Sequence, residues 1–371
     1  MVLLALCLRP AMTSVGPLIP RMGDDLGLGQ AALGLLGAIP LFAFAVVSPG
    51  VHLVSRRFGI EHTILVALVV LASGTVVRSY GGTGGLWLGT VALGCALAFG
   101  NVLAPALIRR DLPGRITVAH GVYAGAMGGA AGTASLVAVP VADVAGWRFA
   151  LAFWAVLFGV AAALWLLRLR HDDPGSVPAD DPGGTGSVWR QPAAWVLTAF
   201  FGTQAAIFHS MVTWLPTVLV ARGASEHHGG VQLFVYQWVG VGTGLLVPLV
   251  MRRADSQVVA TLGAAVPVAT GLVGLLLVPG LTTVWVCLVG GGCGMTVVVA
   301  LGLAGFRSRD HHVMAQLVGM MQAAGYFSAG VAPVLMGFVA ELTGSWTVPL
   351  GLLVLLAVGM LASAVPAGRP G

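Results

Sequence analysis

Charge is what this sequence has least of. Only 8% of its 371 residues are charged, 57% are hydrophobic, and the mean hydropathy is +0.95. A soluble globular domain carries about 25% charged residues, so this chain cannot cover a water-facing surface. Lysine is missing altogether: all 18 basic residues are arginine. That pattern reads as the codon usage of a GC-rich bacterial genome and says nothing about mechanism. The four cysteines, Cys7, Cys95, Cys287 and Cys293, lie inside apolar runs. They lack the paired spacing of a zinc site and any outer loop in which to form a disulfide. No basic patch interleaved with aromatics exists, so the net charge of +5 does not point to nucleic acid. A phosphate loop, a nucleophile elbow and an HExxH motif are all absent, which removes ATP drive and hydrolase chemistry. The chain is read as no enzyme, with no cofactor. The pairs His227–His228 and His311–His312 are neighbours on helix ends, point apart and have no completing carboxylate, so no metal is expected.

What is present is a series of apolar runs about 20 residues long, the length that crosses a ~30 Å hydrocarbon core. The alternating ten-residue pattern of a membrane β-barrel does not occur. Charges, Gly and Pro divide the chain into helices at 2–20, 31–54, 60–79, 86–108, 117–141, 148–168, 191–220, 229–251, 257–278, 282–305, 313–340 and 346–366. The first segment has no small-residue cleavage site and reads as a retained span. The predicted fold is an all-α membrane protein with twelve transmembrane helices in two pseudo-symmetric six-helix bundles. The bundles are 1–169 and 191–371, and a cytoplasmic linker, 170–190, rich in Pro, Gly and Asp, joins them as a flexible loop.

Arginine placement orients the spans. With both termini inside, cytoplasmic loops hold Arg56, Arg57, Arg109, Arg110, Arg115, Arg168, Arg170, Arg190, Arg252, Arg253, Arg307, Arg309 and Arg369. Outer loops hold Arg21, Arg78, Arg148 and Arg222. This is a positive-inside bias, and it places the protein in a bacterial cytoplasmic membrane. The halves also echo each other at one offset of 199: Met12–Pro17 on Met211–Pro216, Pro49 on Pro248, and Asp111 on Asp310. Glycine faces at 121–132 and 319–330 suit close helix approach and rocking of one half on the other.

Function must come from the few polar groups inside the spans. All 13 carboxylates fall in loops or at helix ends, so no acidic proton relay is visible and a cationic substrate is disfavoured. Arg9 is read as the one arginine inside a span, roughly 12 Å along it. It either snorkels to the cytoplasmic side or faces a central cavity and binds an anionic or electron-rich planar substrate through its fork. The absence of a carboxylate partner favours the second. Further candidates for substrate contact are Thr13, Asn101, Gln204, His209, Trp214, Gln237, Gln322 and Tyr326, the last two on one face of a helix. For Asn101, Gln204, Gln237 and Gln322 an ordinary interhelical hydrogen bond is an equal reading, and Trp214 and Tyr326 could be interfacial anchors. His209 could carry protons. Gating or topology is assigned to Arg56, Arg57, Arg109, Arg110, Asp111, Arg309 and Asp310.

Four stretches carry a family resemblance: LRPAMTSVGPLIP (8–20), GNVLAPALIRRDLP (100–113), WLPTVLVARGAS (214–225) and GYFSAGVAPVLMGFVAELTGSW (325–346). Together they resemble the cyanate/2-nitroimidazole transporter branch of the major facilitator superfamily, in order along essentially the whole chain. The resemblance implies a monomeric carrier with a central cavity. Its substrate would be a small anion or small planar heterocycle crossing the inner membrane by alternating access, with Arg9 and Asn101 at the site. Two departures stand out. Arg56 occupies the place where the wider superfamily has an Asp before Arg-x-Gly, and His209 stands where an aromatic is expected. The alternative on the same fold is a multidrug-type exporter of neutral hydrophobic compounds.

Overall fold

A computed structural model describes residues 1–169, 188–251, 257–307 and 311–369. The chain is helical throughout these residues. In order the helices are α1 (Val2–Cys7), α2 (Pro10–Thr13), α3 (Ile19–Leu26), α4 (Gln30–Phe58), α5 (Ile60–Tyr80), α6 (Gly82–Asp111), α7 (Ile116–Ala152) and α8 (Trp154–Leu169). There follow α9 (Pro192–Ala221), α10 (Glu226–Met251), α11 (Val258–Leu277), α12 (Thr282–Arg307), α13 (His311–Thr343) and α14 (Thr347–Gly368). Eleven segments among the described residues are long and apolar enough to cross a membrane. One of them, Val118–Leu169, runs 52 residues and is interrupted at Gly146, whose φ of 81° and ψ of 160° only glycine tolerates readily.

The first segment differs from the expected single helix over 2–20. It breaks after Cys7, resumes at Pro10, tightens into a 3-10 turn at Gly16–Leu18 and continues to Leu26. The cause is local. Pro10 and Pro17 have no N–H to donate, and Pro10 disfavours helical geometry at Arg9. The repeat partner of this stretch, Met211–Pro216, lies in the unbroken α9, so the echo in sequence is not an echo in shape.

Most of the 170–190 linker lies outside the described residues. Its last three, Val188–Arg190, form a 3-10 turn with Val188 buried and the Trp189 ring edge-on to Trp195. Arg78, expected in an outer loop, instead sits in the last turn of α5 with 2% exposure. Arg21 also lies within a helical span, α3. Arg9 is therefore not the only arginine inside a span.

Helix approach rests on small residues, as expected where apolar lipid gives no hydrophobic drive between helices. At α10–α12, a Cβ on Gly294 would stand 2.0 Å from the Gly240 carbonyl oxygen, and Thr243 Oγ1 donates to Gly291 O at 2.8 Å. The contacts between residues 1–169 and 188–369 follow the same rule. A Cβ on Gly34 would meet Pro333 O at 2.7 Å, one on Gly337 would meet Gln30 O at 2.4 Å, and one on Gly16 would meet Val212 O at 2.4 Å.

Candidate functional site

The break in the first segment builds the site. Pro17 leaves the Thr13 carbonyl without its helical donor, and Ser135 Oγ from α7 donates to it at 3.2 Å. Val15 N–H turns back to Met12 O at 3.3 Å, which frees Ala11 O. Arg78 Nη1 donates to that oxygen at 2.6 Å. A broken helix is tolerated at membrane depth only where such partners exist, and here two neighbouring helices supply them.

Arg9 stands at the break, with φ −117° and ψ −37° as the residue capping α2. It is half-buried and forms no side-chain hydrogen bond or ion pair among the described residues. Its charge reaches Tyr123 of α7, His209 of α9 and Tyr326 of α13. These groups come from both parts of the chain. Tyr326 packs edge-on against Phe44 at 5.4 Å between centroids, which holds its ring at the α4–α13 seam.

The other candidates separate into groups. Thr13 is buried and donates to Arg9 O at 3.1 Å, so it stabilises the arginine's own backbone. Asn101 is half-buried and gives its amide to Leu97 O of its own helix at 2.8 Å. Gln204 donates to Cys293 O at 3.2 Å and Trp214 to Pro333 O at 2.8 Å. Both are buried interhelical ties, and Trp214 also packs on Trp346, at 4.8 Å between centroids. Gln237 is 6% exposed with Nε2 unpartnered. Gln322 is exposed one turn from Tyr326. His209 is 8% exposed and lines a small cavity with Arg78, Thr90 and Thr213.

Charge pairing differs between the two ends of the bundle. At one end Arg110 pairs with Glu61 and with Asp111, at 2.8 Å to the latter, while Arg168 reaches Asp111 at 2.6 Å. Glu61 is the partner of Arg110 across α5 and α6. It sits in the first turn of α5, largely buried. Arg56, Arg57 and Arg109 are exposed, and Arg309 and Asp310 lie outside the described residues. At the other end Arg21 bridges Glu226 at 2.5 Å and Asp143 at 2.6 Å. Glu341 accepts there from the Ala31 N–H at 3.0 Å. Arg21–Glu226 is the ion pair among the described residues that joins 1–169 to 188–369. Close by, Arg222 donates to Leu275 O at 2.6 Å, and burial lowers its guanidinium pKa from the ordinary arginine value.

Arg78, Tyr123 and the Arg21–Glu226–Asp143 cluster were missed in sequence. Residues 21 and 226 are 205 apart, and no local pattern joins them.

A polar centre enclosed by long apolar helices, with a charged clasp at one end, defines a multi-pass membrane transporter. Comparison with known proteins agrees. A model of the Major Facilitator Superfamily matches residues 1–314. A 2-nitroimidazole transporter of Escherichia coli K12 is 34% identical over 368 residues, covering 99% of this chain and 94% of the relative. The cyanate transport protein CynX of the same organism is 27% identical, covering 97% and 94% respectively. A solved D-xylose-proton symporter shares the fold, with a TM-score of 0.76 at 14% identity, covering 100% of this chain and 96% of that one. The chain belongs to the major facilitator superfamily. Within it the protein is a transporter of the cyanate and 2-nitroimidazole branch.

Proposed function

We propose that the protein moves a small anion or small planar polar compound of the cyanate, nitrite or nitroimidazole kind across a bacterial inner membrane by alternating access. In this reading the 52-residue segment Val118–Leu169 crosses twice, giving twelve crossings in bundles 1–169 and 191–371, with both termini cytoplasmic. The Arg110–Glu61 end then faces the cytoplasm and the Arg21 end faces out, closed.

One observation carries the proposal. Arg9 presents a half-buried guanidinium whose charge is felt at Tyr123, His209 and Tyr326, with no carboxylate paired with it among the described residues. An uncompensated cation at membrane depth costs several kcal/mol. A substrate that supplies the counter-charge, or an electron-rich planar face with acceptors, recovers part of that cost on binding. The two named relatives support the same substrate class.

The test is competition in reconstituted vesicles. Uptake of labelled 2-nitroimidazole or cyanate should be reduced by millimolar nitrite and by each other. A carrier of neutral hydrophobic compounds would ignore cyanate and nitrite, and that outcome would remove the anion reading while leaving the fold intact.

A further inference from the structure

A recess lies between α4, α5 and α6, lined by none of the polar residues considered so far for substrate contact. Its volume is about 780 Å³, far above a packing defect and within the ~300–1,000 Å³ of built ligand sites. The walls are apolar, with Val54 from α4, Val66 and Val70 from α5, and Ala96 and Phe99 from α6. All three helices are long and apolar enough to cross a membrane. Val66 is 60% exposed, so the recess opens on the flank of the bundle, where hydrocarbon surrounds the protein. From His62 to Val70 it follows α5 for ~12 Å.

One end of the recess is polar. Arg57 in the last turn of α4 and His62 in the first turn of α5 line it there. Thr63 adds no donor, because its hydroxyl is spent on Gly59 O at 2.6 Å. Arg57 forms no ion pair among the described residues, and its guanidinium stands 5.5 Å from the centroid of the Phe58 ring. The adjoining acid, Glu61, is taken by Arg110, and no carboxylate lines the recess.

This combination selects its occupant. An unfilled apolar recess forfeits dispersion contacts along its whole wall, so at membrane depth a hydrocarbon chain enters it. The cation at the mouth then selects the head that the chain carries, as basic pockets between transmembrane helices do for anionic lipids. A neutral hydrophobic compound would satisfy the walls and leave Arg57 without a counter-charge. We propose that the recess holds one acyl chain of an anionic phospholipid, with the lipid phosphate on Arg57 and His62. In the orientation proposed above, the lipid belongs to the inner leaflet. Arg9 has no part in this site, and the test below does not depend on the transported substrate.

The experiment is lipid binding to the purified, delipidated full-length protein, counted by native mass spectrometry. The probes are dioleoyl phosphatidylglycerol and dioleoyl phosphatidylethanolamine, which differ in the head and share the chains. The native protein should take its first phosphatidylglycerol at several-fold lower concentration than its first phosphatidylethanolamine. Arg57→Gln should weaken that first binding about fivefold. Arg56→Gln removes the same charge one residue away, outside the recess, and should leave it unchanged. Equal binding of the two lipids to native protein overturns the proposal, because a hydrophobic occupant without charge selection would then suffice. Equal weakening by Arg56→Gln and Arg57→Gln also overturns it, as does weakening by neither. Stable dimers that Val66→Arg dissociates would give the recess to a second copy and overturn it too. A second measurement needs no variant: phosphatidylglycerol with a photoreactive group in its acyl tail is cross-linked to native protein and the adducts are mapped. Adducts on 62–70 and 95–99 support the site; adducts confined to other segments overturn it.

Discussion

The Arg21 clasp can be weakened in a measured way. Arg21→Gln removes both its ion pairs. The Arg21 and Glu226 side chains are 28% and 26% exposed and Asp143 is 57% exposed. Exposed pairs contribute about 0–1 kcal/mol. The Arg21–Glu226 pair belongs near the upper end of that range and Arg21–Asp143 near the lower. Only Arg21–Glu226 joins 1–169 to 188–369, so the clasp favours closure by up to about 1 kcal/mol, a population shift of up to roughly fivefold. Glu226 and Asp143, left without their shared cation, repel and add in the same direction. Spin labels at the exposed Asp24 and His227, in a background without native cysteines, report the opening at this end by pulsed dipolar spectroscopy. Arg21→Gln should raise the long-distance population by up to roughly fivefold, Glu226→Gln somewhat less, and the double variant by less than the two added. An unchanged distance distribution in Arg21→Gln would show that glycine-lined packing alone closes this end.

Other outcomes follow from the same structure. Trp214→Phe orphans the buried Pro333 carbonyl and should lower stability by about 1–2 kcal/mol, read as a lower detergent melting temperature with the KM for substrate unchanged. A raised KM would make Trp214 a substrate contact. Glu61→Gln removes the charged partner of Arg110, which keeps Asp111, and should cost about 2 kcal/mol; melting and expression level check it. Gly337→Leu forces atoms against Gln30 O and Trp214 and should hold the Arg21 end apart, giving more long distances between the same spin labels. Substrate flux should survive collapse of the proton gradient unless His209 carries protons. Strict proton dependence that persists in His209→Gln would exclude both versions.

Membrane class and family were legible because they depend on runs of residues. Hydropathy over 20 residues and motifs such as LRPAMTSVGPLIP survive without knowledge of packing. Arg9 stood out too, as a charge in an apolar stretch with no acid nearby. What escaped was decided between helices. Arg78 closes an apolar run before a Gly-rich loop, which is the pattern of a topology arginine. Only the orphaned Ala11 carbonyl, created by the broken helix 67 residues earlier, explains its burial. Pro10 and Pro17 were visible, yet their effect depends on donors from α5 and α7 that make the break tolerable. Gln204 and Trp214 had the residue types of binding groups, but neighbouring helix carbonyls use their donors. Tyr123 sits among glycines whose packing role masked it, and it joins the site only because α7 packs against the break.

The most direct test of the central claim is uptake by reconstituted protein with Arg9 replaced. Proteoliposomes loaded by transport of labelled cyanate or nitrite should show at least a tenfold loss in Arg9→Ala, about 1.4 kcal/mol or more of binding. Arg9→Lys should recover only part, because an ammonium lacks the planar fork. Undiminished uptake in Arg9→Ala would contradict the account, leaving Arg9 a residue that snorkels to the membrane surface and has no part in binding.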